Sequence, residues 1–147
     1  MVRMSNTIIA WLTAGDLRTD GSANEVAALV AANPDLLPDL IEALHSPQDA
    51  IRGRAADALE KVARTQGETV LPYLDQIIDQ GRRDGVPMVR WHVAMILGHV
   101  NPPAGEQQEQ IRRALTLMLA DPSAITRSWV IVSLCLLARR RPAEALR

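Results

Sequence analysis

The sequence has no Phe, one Tyr and a single Cys, and aromatic residues make up only 3% of it. One cysteine rules out a disulfide within the chain, so a reducing compartment fits best and the protein is expected to be cytoplasmic. Cys135 sits among Leu134, Leu136 and Leu137, which predicts an inert core thiol. Long apolar runs are missing too. Trp129 to Ala138 is interrupted by Ser133 and is about half the length of a bilayer span, so no membrane contact is expected. Ile8 to Leu12 is too short for the apolar core of a secretory signal, and Asp16 follows closely.

What is present is aliphatic. Apolar residues make up 48% of the chain, and with so few rings Ala, Leu, Val and Ile carry that load. This favours closely packed helices, and 147 residues suit one domain with a real core. The formal net charge of -1 is unevenly spread. Residues 1–50 hold Arg3 and Arg18 against seven acidic residues, a net -5, which leaves +4 for the remainder. That asymmetry suits a polar partner surface and is too mild for a nucleic-acid signature.

A spacing recurs three times. Arg52, Arg90 and Arg127 are each followed by apolar or small residues three, four, seven and ten positions on: Ala55, Ala56, Leu59 and Val62; Val93, Ala94, Leu97 and Val100; Val130, Ile131, Leu134 and Leu137. The arginines lie 38 and 37 residues apart, a period of stacked helix pairs. Residues 1–34 read as N-terminal cap helices, with Ser22 and Glu25 placed as a capping box. Repeats follow at 35–66, 67–101 and 102–141, then a tail at 142–147. Ser46-Pro47 and Asp121-Pro122 read as cap-plus-proline helix starts, Pro87 opens the middle arginine helix, and Asn101-Pro102-Pro103 ends it.

With Ile51-Arg52, Val89-Arg90 and Thr126-Arg127 at the Val-Arg positions and prolines in the turns, residues 35–140 resemble a HEAT-repeat protein of the HEAT-like type found in bilin (PBS) lyases. The resemblance implies an all-α right-handed α-α superhelix, a short solenoid of antiparallel helix pairs. In such a solenoid the second helices line a concave surface. Positions two, five, six and nine after each arginine would face that groove, which offers Arg54, Lys61, His92, Met95, Ile96, His99, Trp129, Val132 and Leu136 as partner-binding residues. The last helix is apolar on every side and should be covered or adhesive.

Catalytic and cofactor chemistry find no support in the residue pattern. His92 and His99 are seven residues apart, about 10.5 Å of helix rise, too far for one metal whose ligands sit at roughly 2 Å. The His-Glu pairs of HEAT-like di-iron hydroxylases are absent, as are phosphate loops and paired cysteines. The arginines of the repeat are expected to bridge acidic turn residues such as Asp49, Asp84 and Asp121. The expected function is a non-enzymatic scaffold without cofactor or metal. It would bind a protein or peptide in the concave groove and self-associate through the C-terminal helix as a homodimer. The rival is a nucleic-acid-binding protein like the HEAT-like DNA glycosylases. A third reading, an accessory lyase or chaperone for a tetrapyrrole protein, is implied by the resemblance alone.

Overall fold

The computed structural model describes residues 5–13 and 22–140. Those residues form eight α-helices and no strand: α1 Ser5–Leu12, α2 Ala23–Ala32, α3 Leu37–Ala43, α4 Asp49–Val70, α5 Leu74–Arg83, α6 Pro87–His99, α7 Glu106–Met118 and α8 Ala124–Arg140. Short 3-10 turns at Pro34–Leu36 and Leu71–Tyr73 lead into α3 and α5. The fold class is all-α.

Helix α5 shows why these segments coil. Leu74, Ile77, Ile78 and Gly81 are buried at helical spacing, and Asp75 in the first turn and Arg82 and Arg83 in the last complement the backbone dipole. Helix α7 repeats the pattern with Ile111, Ala114, Leu115 and Met118 inward. It starts after Gly105, whose φ of 145° no side chain would tolerate well. Helix α4 has no solvent-exposed side over one stretch, because every residue from Gly53 to Glu60 is buried, Arg54, Asp57 and Glu60 included. It breaks at Gln66, the last residue of the first repeat expected from the sequence, and continues to Val70.

Consecutive helices pair as hairpins, α1 with α2, α3 with α4, α5 with α6 and α7 with α8. The second members also pack on one another in order, α2 on α4, α4 on α6 and α6 on α8. Small residues permit the closeness: a Cβ on Gly98 of α6 would lie 2.4 Å from Ser133 Oγ of α8.

The repeated arginines lock these hairpins together. Arg52 donates from Nε to Asp84 Oδ2 at 2.8 Å, and Arg90 does the same to Asp121 Oδ2 at 2.8 Å, each with a second bond from the same guanidinium. Each arginine also reaches back six residues to a turn carbonyl, Ser46, Asp84 and Asp121 respectively. The bridging role expected from spacing is therefore observed. Burial pushes the carboxyls of Asp84 and Asp121 up, yet the guanidinium and the backbone N–H groups of Val86 and Ser123 outweigh it and hold both below the ordinary range.

The helix starts differ from the sequence reading. Ser22 makes no side-chain cap bond. Helix α4 begins at Asp49 after Gln48, and α8 at Ala124, so Pro47 and Pro122 lie in the turns before the helices. There Ser46 Oγ and Asp121 Oδ1 accept from the backbone N–H two residues on, which closes a local turn in place of a cap. Gly15, expected to end α1, lies outside the described residues.

The polar member of the Val-Arg positions is informative. Ile51 and Val89 are buried, and so is Thr126, whose hydroxyl meets no partner among the described residues. Thr126→Val keeps the shape and removes an unsatisfied oxygen. It should stabilise the protein by about 1 kcal/mol, raising the melting temperature by about 3 °C. A lower melting temperature in calorimetry would mean the hydroxyl is satisfied.

Candidate functional site

The side chains expected to line one groove separate into two environments. Arg54 and Ile96 are wholly buried and His92 nearly so. Arg54 donates from its guanidinium to the carbonyl of Leu12 at 2.7 Å, tying the end of α1 to α4. Lys61, Met95, His99 and Leu136 are half-buried, while Trp129 and Val132 are exposed. The correction has a simple cause: because α2, α4, α6 and α8 pack flank on flank, the buried members of this set are enclosed by neighbouring helices and present no groove floor.

Between α4 and α6 the enclosed polar groups satisfy one another. Asp57 pairs with Lys61, and His92 Nε2 lies 3.5 Å from Asp57 Oδ1 while its Nδ1 donates to the Met88 carbonyl at 2.7 Å. Glu60 accepts two bonds from Arg64, at 2.7 and 2.8 Å, and one from His99 Nε2 at 3.1 Å. Burial raises the Glu60 carboxyl, but the bonds from His99 and Arg64 outweigh it and hold it at about 2. Burial pushes the His92 imidazole down, against the Met88 carbonyl and the charges of Asp57 and Glu60.

These shifts fix the pH response. Below its ordinary value of 6.5, His92 takes up a proton in the unfolded chain before the folded one does, so stability falls as pH drops from there. Glu60 stabilises fully above its ordinary 4.5, and that contribution is lost as pH falls towards about 2. Melting temperatures should therefore decline in two stages on acidification. In His92→Gln the decline beginning near neutrality should vanish and the more acidic one persist; an unchanged profile would remove His92 from the account.

Two further expectations fail on α8. Ile131 stands where Ala56 and Ala94 are buried, yet it is 54% exposed. Cys135 is exposed and not a core thiol. On α6, Ala94 and Gly98 face α8: the Ala94 carbonyl accepts from Ser133 Oγ at 2.7 Å, and Gly98 lies under Ser133. The same offsets on α8 are Ile131 and Cys135, and no described helix follows to cover them.

The exposed surface is concentrated there. Among the described residues the large exposed apolar side chains are Trp11 and six between residues 117 and 132: Leu117, Leu119, Ile125, Trp129, Ile131 and Val132. The sequence carried one signal for this patch, since Ala124 to Ala138 holds Arg127 as its only charged residue.

No family model, no curated protein and no solved structure matches this chain.

Several cations are already engaged. Arg83 pairs with Asp79, Arg112 and Arg113 with Glu109, and Arg64 with Glu60. A depression of about 270 Å³ between the ends of α5 and α7 is lined by Gly81, Arg82, Leu117, Met118, Pro122 and Asp121. Its one carboxylate is already bound to Arg90. Among the described residues no three His, Cys, Asp or Glu side chains are grouped to hold a metal, and no helix is long and apolar enough to cross a membrane.

Proposed function

We propose that this chain is a non-enzymatic helical-repeat module, a short right-handed α-α superhelix of the HEAT-like kind, that binds a protein through its last hairpin. The observation that carries the reading is the apolar surface of Leu117, Ile125, Trp129, Ile131 and Val132, clustered on α7 and α8. Scattered apolar residues on a surface need no explanation, whereas a cluster on one hairpin marks an interaction site. The repeat spacing and the Arg–Asp bridges between hairpins support the superhelix. The binding surface is accordingly the exposed side of α8 together with α7, with Trp129 and Val132 retained from the groove set.

The nucleic-acid reading is weaker because Arg83, Arg112 and Arg113 are spent on neighbouring carboxylates and Arg54 is buried. Phosphate binding needs clustered cations that are available.

Selection from a displayed library of helical peptides tests the proposal. Wild-type protein should enrich a related set of sequences, and Ile131→Asp with Val132→Asp should lose them while keeping its circular dichroism spectrum. Enrichment of no sequences, or of sequences indifferent to the two substitutions, would sink it.

A further inference from the structure

We propose that the exposed flank of α8 takes a second copy of this chain, bound head to tail through the free flank of α2. This rests on the reading of α8 as a protein-binding surface and names its occupant.

The two end helices are left with opposite flanks. Helices α4 and α6 each have a second helix on both sides, whereas α2 contacts only α4 in that order and α8 only α6. On α8 the open flank presents Ser128, Ile131, Val132 and Cys135, all exposed at helical spacing. On α2 the exposed positions are Asn24, Glu25, Ala28 and Ala32. Ile131 and Val132 on one side would pack on Ala28 and Ala32 on the other, which are small enough to let two helices approach closely.

Charge selects head-to-tail contact over a two-fold one. Helix α8 carries Arg127, Arg139 and Arg140 and no acid, so two copies of it face to face would set like charges together. Helix α2 carries Glu25 at an exposed position and no Lys or Arg, so the α8 flank meets a charge of opposite sign there.

The arginine bridges point the same way. Arg52 and Arg90 each clasp the aspartate of the following hairpin, but Arg127 reaches back to the Asp121 carbonyl, and no carboxylate from a following hairpin meets it among the described residues. At the other end α2 carries no arginine and exposes Glu25. The bridging series is thus open at α8, on a guanidinium that suits an acidic partner surface.

Head-to-tail contact makes a specific demand on mixing. Light scattering of the wild type should give a mass that rises with concentration beyond twice the 16.1 kDa of one protomer. Ile131→Asp blocks the α8 end and Glu25→Lys with Ala28→Lys blocks the α2 end, all at exposed positions. Each variant alone should stay at the mass of one protomer, and an equimolar mixture should give twice that mass and no more, because one good end of each remains. Val132→Lys serves as a second block at α8, with circular dichroism confirming that each variant folds.

A wild type that stays monomeric up to millimolar concentration overturns the proposal, and so does an associating wild type whose blocked variants fail to pair on mixing. If the wild type stays monomeric while peptides are still selected, the occupant alone is wrong. If peptides also fail, the binding surface itself is.

Discussion

Arg90→Ala should cost about 3 kcal/mol of stability, a fall of about 10 °C in melting temperature. Both members of the Arg90–Asp121 pair are shielded, with side chains 12% and 8% exposed. Removing the guanidinium leaves the Asp121 carboxylate with the Ser123 N–H and the more distant charge of Arg127, and strips the Asp84 carbonyl of a 3.0 Å bond. A shielded carboxylate without its cation is costly, where an exposed one simply hydrates. Arg112→Ala, at the exposed Glu109 pair, should leave the melting temperature unchanged. A double-mutant cycle with Asp121→Ala isolates the pair, and a coupling indistinguishable from zero would show that the bridge does not hold the hairpins.

Gly98→Ala should also destabilise, by about 2 kcal/mol, although Ala is favoured over Gly inside a helix by about 1 kcal/mol. Packing overrides propensity here. The new Cβ would lie 2.4 Å from Ser133 Oγ, 2.7 Å from its Cβ and 3.0 Å from its Cα, and backbone cannot swing aside. Relief requires α8 to move off α6, and Ser133 would lose its bond to the Ala94 carbonyl. Ser133→Gly in the same chain should recover part of the loss. Gly85→Ala is the control, since nothing lies within 4 Å of a Cβ there. A Gly98→Ala protein as stable as the wild type would mean that α6 and α8 are not packed this closely.

Both substitutions act where neighbouring hairpins touch, and there the sequence was legible for the bridges and silent on the close packing of Gly98 against Ser133. The helices themselves were legible from local pattern: Leu74, Ile77, Ile78 and Gly81 are spaced to bury one side of α5 whatever lies opposite. The arginine bridges were legible because an arginine recurs at nearly fixed distance from an aspartate in the next turn, so one hairpin predicts the others. Helix starts were less so, because Ser46 and Asp121 can cap a helix or close a turn with the same side-chain oxygen, and their prolines suit either.

By itself, then, the sequence determined an all-helical chain with a repeating hairpin and a recurrent arginine. Those follow from spacing within one or two turns. Only the tertiary structure decided which flanks are covered. An apolar stripe records one neighbour, but α4 has several, so Arg54, Asp57 and Glu60 are buried among partners supplied by α1, α6 and α4 itself. On α8 the same offsets leave Ile131 and Cys135 in the open, since burial depends on whether another helix follows, and no residue's own pattern records that.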